Sequence, residues 1–454
     1  MEKNKLVYLP VTGIKDDMSD LGYVVYYIVS AEQRCDGEHI GNDVIRLFPN
    51  EEFGIQETFK RHIPRDPSKV TTGIAKYRDG LIPKQVHEDL ASGKCKYLIL
   101  DYSMEGYNDV DWDYISEIMG VEKSKIVWIT GIWNPEFMNR QSEISVCFTN
   151  YWELFTFHIT KLTYSPKDRK MESSPWNNGF EQQLKDIDDK KKRKYHALSY
   201  NRQPRWYRAV LLTRLKEAGL LTNTSYSWGK WATIYGEENY GKNKENNKKR
   251  LKLERENFLQ RFESSKHLGL LRKQDWDAWN DIMSSDEVRI SDDEDLNINK
   301  AFDINFNHVK DCYFQIISET WVPNSLVDDA TPFLSEKSYK PFICAMPFVT
   351  WAQKGTIAAL REHGYNVFDN WINHDYDKIV DDGERLDALI EEIQRLNNKT
   401  HDEWTSMLQY MKPVLLGNYQ IIWNRTQYSS RFAYRYDNFI EVTSGIKKID
   451  WYNR

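Results

Sequence analysis

Apolar residues in the first third of the chain fall in short runs, 23–29, 97–100 and 126–129, rich in β-branched and aromatic side chains. Runs of that length without polar alternation predict strands buried on both faces. Turn-formers follow two of them, Gly106 and Asn108 after the second and Gly131 and Asn134 after the third, and segment 114–119 between the two is helix-compatible. Strand, helix, strand in that order is the pattern of a parallel sheet with crossover helices. Further runs at 144–148 and 152–157 close a first domain. The polar stretch 165–194, with its lysine-rich end 190–194, predicts a linker.

The rhythm restarts with a strand at 195–200, the loop Asn201-Arg-Gln-Pro-Arg205 and a helix over 206–218. In that helix Val210, Leu211 and Leu215 share a face, and Gly219 supplies the stop. A strand follows at 312–317, then a helix opening at Ser335, a strand at 347–351, and a helix over 356–363 that Gly364 ends. Over 384–397, Leu386, Leu389, Ile390, Ile393 and Leu396 form one helical stripe. Segment 241–271 is Lys/Glu-rich and predicts a solvated helix, and the acidic run 284–295 predicts an exposed loop. The expected organisation is a first α/β domain at 1–164, the linker 165–194, and a second α/β domain at 195–430 with a charged helical insertion at about 235–300. A C-terminal segment, 431–454, is expected to pack back on the first domain.

A length of 454 residues suits two or three domains. With 40% hydrophobic and 29% charged residues, a large core under a solvated surface is available, which excludes a wholly disordered chain. The 62 basic and 68 acidic side chains leave a net charge of -6, so a globally basic nucleic-acid coat is excluded and any such contact has to be local. Cys35, Cys95, Cys147, Cys312 and Cys344 stand far apart without a CxxC pair, so neither a zinc knuckle nor a disulfide framework is predicted. A reducing, cytoplasmic setting is expected. No apolar run reaches the length of a membrane span, and the N-terminus lacks a signal-peptide pattern. Aromatic residues reach 14%, rings suited to packing and to stacking on sugars or bases; Tyr339, Trp351 and Trp371 are candidates for such contacts, with core packing the simpler reading.

The densest candidate chemistry is Phe333-Leu-Ser-Glu-Lys-Ser-Tyr-Lys-Pro-Phe342, between two predicted strands. Ser335 suits an N-cap, which puts Glu336 and Lys337 in the first helical turn, where free N–H groups and the helix dipole attract anions. Lys337 and Lys340 add positive charge there, and Glu336 is suited to accept from ribose hydroxyls. The alternative is a capped surface helix with solvated charges. Arg202, Arg205 and Arg208 follow the strand ending at Tyr200, and loops at the carboxyl ends of parallel strands are where ligands bind. Asp101 and Glu105, directly after a predicted strand, are the candidates for a general base, against a reading as helix caps. Asp109, Asp111 and Asp113 have overlapping Asp-x-Asp spacing but precede a helix, which favours an acidic first turn. His196, His363 and His374 show no metal-ligand spacing and read as structural.

Three stretches carry a family resemblance: Leu198-Ser-Tyr-Asn-Arg-Gln-Pro-Arg205, Tyr313-Phe-Gln-Ile-Ile-Ser-Glu-Thr320 and Phe333-Leu-Ser-Glu-Lys337, the last running into 341–349. They resemble the donor-binding region of α1,3-fucosyltransferase-like glycosyltransferases, and uncharacterised phage and bacterial glycosyltransferase-like proteins. The resemblance covers 195–221 and 312–384. It implies a GT-B-like α/β fold, two Rossmann-like domains facing a cleft, with the nucleotide-sugar donor on the C-terminal one. It assigns Lys337 and an arginine of the loop Arg202 to Arg205 to the diphosphate, Glu336 to the ribose, and Glu319 to the sugar or its surroundings. Thr320 and Trp321 depart from the family's Asn-Ser after the glutamate, which weakens the case for fucose.

The expected activity is transfer of a sugar from a nucleotide-diphosphate sugar to a hydroxyl of a carbohydrate acceptor, with inversion and without a required metal or other cofactor. Two alternatives stand beside it. The acceptor is a modified base in DNA, for which Lys248, Lys249, Arg250, Lys252 and Arg255, near Trp228, Trp231, Trp276 and Trp279, offer phosphate and stacking contacts. Or the chain is a non-enzymatic nucleotide-binding scaffold. A DNA acceptor requires duplex binding at low salt, and a filter-binding titration that detects none removes that reading.

Overall fold

The structure, a computed structural model, describes residues 24–29, 88, 90–92, 95–102, 112–131, 144–148, 152–153, 162–165, 170–173, 176–201, 205–228, 270–284, 306–320 and 332–428. The chain divides into two compact units, Met1–Tyr151 with Arg425–Arg454, and Trp152–Asn424.

The first unit holds strands β1 (Val24–Val29) and β2 (Cys95–Tyr102), helix α1 (Trp112–Met119), and strands β3 (Ile126–Thr130) and β4 (Ser145–Phe148). The four strands form one parallel sheet in the order β1-β2-β3-β4, with Leu98 opposite Ile126 and Val127 opposite Ser145. The apolar runs are thus strands, and α1 connects β2 to its neighbour β3 as a crossover helix. Gly120 ends α1 at φ 61, a left-handed conformation that costs glycine little. The next residue's N–H, on Val121, returns to Ser116 O at 3.2 Å.

The second unit opens with the antiparallel pair β5 (Leu162–Ser165) and β6 (Lys170–Ser173), then α2 (Trp176–Asp188). Strand β7 (Tyr195–Asn201), α3 (Trp206–Glu217), β8 (Thr224–Trp228), α4 (Trp276–Ser284), α5 (Phe306–Lys310) and β9 (Cys312–Ser318) follow. The unit ends with α6 (Glu336–Ile343), β10 (Phe348–Trp351), α7 (Thr356–Glu362), α8 (Asp382–Asn397) and most of α9 (His401–Tyr428). Its main sheet is parallel, in the order β10-β9-β7-β8. All seven residues of β9 are buried, as a strand covered on both faces requires.

Three expectations change. The stretch 165–194 is not a bare linker: it contributes β6 and α2. One helical face of α2 is buried, with Phe180, Gln183 and Ile187 three and four positions apart. Phe180 stacks on Tyr419 of α9 at 3.9 Å, and Lys412 pairs with Asp188 at 2.6 Å. Helix α3 is not one-sided either, for all residues from Tyr207 to Leu215 are buried. The region expected as a charged insertion covers it, through Leu270 and through Ala278, Trp279 and Ile282 of α4. Arg214 of α3 donates to Leu270 O at 3.3 Å and pairs with Asp387 of α8, a carboxylate shared with Arg272. The remainder of that insertion, 235–269 and 285–300, lies outside the described residues, as do most of 152–157 and all of 431–454.

The stripe on α8 is the core face, with Leu386, Leu389, Ile393 and Leu396 at most 1% exposed. Trp404 of α9 stacks on Tyr313 of β9 at 5.5 Å, and its indole N–H donates to Leu396 O at 3.0 Å. Gly364 sits at φ 82 after α7, and the N–H groups of Gly364 and Tyr365 return to Arg361 O and Leu360 O at 2.8 and 3.0 Å, closing the helix end.

His374 has a structural role. His374 is 3% exposed, and its Nε2 faces Val367 O at 2.6 Å, so Nε2 carries the proton. Nδ1 then accepts from the Tyr376 hydroxyl at 2.9 Å, which itself accepts from Thr350 N–H of β10 at 3.1 Å. This chain of bonds is complete only with neutral imidazole, and burial pushes the His374 pKa down to about 4 from 6.5. The unfolded chain therefore takes up a proton near 6.5 that the folded chain refuses until about 4, and His374 weakens stability as pH falls through that window. Urea denaturation of wild type and His374→Gln from pH 7 to 4 is expected to show a steeper loss in wild type; parallel curves would contradict the assignment.

Candidate functional site

Within the second unit the strands β7, β8, β9 and β10 stand side by side in the order second, first, third, fourth. The order reverses between β7 and β9, so the chain leaves these two strands toward opposite sides. In open parallel sheets that reversal opens a crevice at the carboxyl ends, and ligands bind there. The register shows the opening. β7 and β9 pair only as far as Leu198 with Gln315, three residues short of each strand's end. By contrast β7 pairs with β8 to Asn201, and β9 with β10 to Ser318. At this open edge Asn201 Oδ1 and Ser318 Oγ, in residues 0% and 2% exposed, meet no hydrogen-bond partner among the described residues. Both side chains fall on the same sheet face, because residues alternate along each strand from the Leu198–Gln315 pair.

Glu319 follows β9 directly and extends its ladder, its N–H donating to Trp351 O at 3.0 Å. Its carboxylate is 0% exposed and accepts four hydrogen bonds: from Thr320 N–H at 2.6 Å, Ser335 N–H at 3.0 Å, Ser335 Oγ at 2.6 Å and Ser338 Oγ at 2.7 Å. The start of α6 is thereby fastened to the end of β9. Ser335 is the N-cap, its Oγ accepting from Lys337 N–H at 3.3 Å. Lys337 is half-buried, and its ammonium donates to Thr320 Oγ1 at 3.0 Å, Ser335 Oγ at 3.3 Å and Glu336 Oε1 at 2.7 Å. Burial pushes the Glu336 carboxyl up, but the charges of Lys337 and Lys340, the Lys337 bond and its own backbone N–H together hold it below the ordinary range.

The first turn of α3 supplies the other wall. Tyr207 donates its hydroxyl to Thr320 O at 2.6 Å, while its carbonyl accepts from the Trp351 indole at 3.2 Å, so α3 grips the ends of β9 and β10 together. Arg208 is 4% exposed, and its guanidinium carbon lies 5.8 Å from the Tyr207 ring. Burial lowers the Arg208 pKa; Tyr207, Glu336 and Glu319 oppose that effect and Arg205 reinforces it, so these groups share one electrostatic environment. Arginine stays cationic even so. Arg205, Arg208, Lys337 and Lys340 face two carboxylates, Glu319 and Glu336, which leaves the edge net cationic.

Of the residues singled out by pattern, Glu319, Ser335, Glu336, Lys337 and Lys340 come together here, with Arg205 as the exposed N-cap residue of α3. Arg202 lies outside the described residues, as do Glu105, Asp109 and Asp111. Asp101 is near the carboxyl end of β2, opposite Val29 and Ile129. Asp113 is an exposed first-turn acid of α1, paired with Lys123 at 2.6 Å. Tyr339 and Trp351 are core residues, each 0% exposed. Asn201, Ser318, Tyr207 and the burial of Arg208 had no local signal, since each depends on strand order or on the cover that 270–284 gives α3. Among the described residues no three of His, Cys, Asp or Glu are grouped as metal ligands, and no helix is long and apolar enough to cross a membrane. No family model, curated protein or solved structure matches this chain.

Exchanging Glu319 for Gln turns one acceptor oxygen into a donor that faces donors. Breaking such a buried charged contact costs about 2–4 kcal/mol. Glu319→Gln is expected to lower unfolding stability by that amount in urea, and a change under about 0.5 kcal/mol would show that the clamp is not needed.

Proposed function

We propose that the chain is a glycosyltransferase that moves a sugar from a nucleotide-diphosphate sugar to a hydroxyl acceptor, with the donor at the β7/β9 edge of the second unit. The observation that carries this reading is the convergence of Arg205, Arg208 and Lys337 with the first turn of α6 at the point where the strand order reverses. Such an edge suits a diphosphate: cationic groups and helix N–H groups compensate its charge, and arginine's planar fork matches phosphate oxygens. The resemblance of 195–221 and 312–384 to α1,3-fucosyltransferase-like enzymes supports the same assignment and a GT-B architecture.

In the proposed reaction the bond between the anomeric carbon and the diphosphate oxygen breaks, and the electron pair leaves with the diphosphate. Arg208, Lys337 and Arg205 stabilise the charge that develops there, and fixed groups already in place do this without reorganisation. The acceptor oxygen bonds to the anomeric carbon from the opposite side, and its proton passes to a carboxylate. Asp101 and Glu105 are the candidates for that base, with a carbohydrate as the acceptor. Glu319, whose acceptor capacity is taken up inside the chain, positions Lys337 and Thr320.

A thermal-shift titration with GDP, UDP, CDP and dTDP, with and without Mg²⁺, tests the donor site. A ligand that binds only the folded chain stabilises it by about 2.7 kcal/mol at a hundred times its Kd. One nucleotide is expected to raise the Tm of wild type, and Lys337→Ala to lose most of that shift. No shift with any nucleotide, or an equal shift in the variant, would refute the assignment.

A further inference from the structure

The chain passes between the two units twice, at Tyr151–Trp152 and at Asn424–Arg425. On the side of the second unit, both passages are fastened to one short segment, 365–368, which follows α7. Glu153 stands just after the first passage and is 3% exposed, and its Oε1 accepts from the Tyr365 hydroxyl. Asn418 lies on α9 shortly before the second passage and is 1% exposed. Its Oδ1 accepts from Asn366 N–H at 2.9 Å and its Nδ2 donates to Asn366 O at 2.7 Å, so one side-chain amide pairs with both backbone groups of one residue. The Glu153 carboxylate and the Asn418 amide are too deeply buried to replace these bonds by bonds to water.

The segment is itself firmly held. Asn366 Oδ1 accepts from Phe368 N–H at 2.8 Å, and Phe368 is kept at φ 70, a left-handed conformation that is unfavourable for a bulky side chain and needs support from its surroundings. Val367 O is bound by His374 Nε2 at 2.6 Å. The Tyr365 ring, 2% exposed, stacks on Phe342 in the last turn of α6, with centroids 4.3 Å apart and planes 4° from parallel. The first turn of α6 carries Glu336 and Lys337, so the helix that presents the candidate site rests with its other end on this segment.

We propose that segment 365–368 is the common anchor of both passages, a conformational device that fixes where movement between the two units can occur. Tyr365 and Asn366 are consecutive, and the planar peptide that joins them transmits a displacement of one to the other. The two passages are therefore held as one pivot on a base shared with α6, and neither loosens alone. This inference stands independently of the donor-site reading.

The test is hydrogen exchange followed by mass spectrometry on full-length, ligand-free wild type, Tyr365→Phe and Asn418→Ala. Tyr365→Phe keeps the ring stack and removes only the bond to Glu153, whereas Asn418→Ala removes both bonds to Asn366. With a common anchor, either substitution is expected to raise exchange about tenfold in peptides covering Tyr151 to Glu153 and also in those covering Ile421 to Tyr428, while β9 keeps its wild-type protection. Faster exchange only at the passage whose own bond was removed shows two independent ties and overturns the common anchor. Unchanged exchange at both passages overturns the anchoring itself. A variant that also loses protection in β9 is misfolded, and the other variant then decides, because a common anchor requires the same pattern from either one.

Discussion

A carboxylate removed from water has to be met by donors, and the 0%-exposed Glu319 is met by four from Thr320, Ser335 and Ser338. Those residues lie on both sides of a chain segment that leaves the sheet after β9 and returns at α6. The demand of one buried charge therefore fixes where that segment ends. Ser335 can cap α6 only because its own N–H and hydroxyl are held by Glu319, and the cap fixes the turn that carries Glu336 and Lys337. Tyr207 completes the arrangement from α3 by holding Thr320 O. The positions of Glu336 and Lys337 thus trace back to a single acceptor. Its cost without donors is large enough that the alternatives are not populated.

Most parallel strands were legible because β1, β2, β3, β9 and β10 appear as short, mainly apolar runs with little polar alternation. Gly364 and Ser335 were legible as helix boundaries because their roles are local. What escaped depends on partners far along the chain. β8, Thr-Ser-Tyr-Ser-Trp, looks like a turn, yet Ser227 Oγ accepts from Asn201 N–H at 3.0 Å, so strand pairing satisfies a buried serine that local pattern counts against a strand. Helix α2 hides in polar sequence because only one narrow face is buried. α9 spans 28 residues across Pro413, which local rules treat as a break.

The site was legible to the same degree. Ser335, Glu336 and Lys337 announce a capped helix start, and that much is local. That Glu319 belongs with them depends on the return of the chain after β9, which no spacing rule encodes. The placement of Arg208 needs more still. Its helix is buried all round because residues 270–284 cover the side turned from the sheet. Strand order is likewise invisible in a run of apolar residues, yet it decides which two loops diverge and hence where a crevice opens.

Cations gathered at such an edge need compensation. Arg208 is 4% exposed and Lys337 is half-buried, and charges this far from water need counter-charge within the protein. The two carboxylates answer that need in different ways. Glu319 is bound by neutral donors from Thr320, Ser335 and Ser338, which fix its geometry. Glu336 is bound mainly by the lysine beside it. One acid fixed by neutral donors and one held by an ion pair thus compensate the cations of this edge from within the chain.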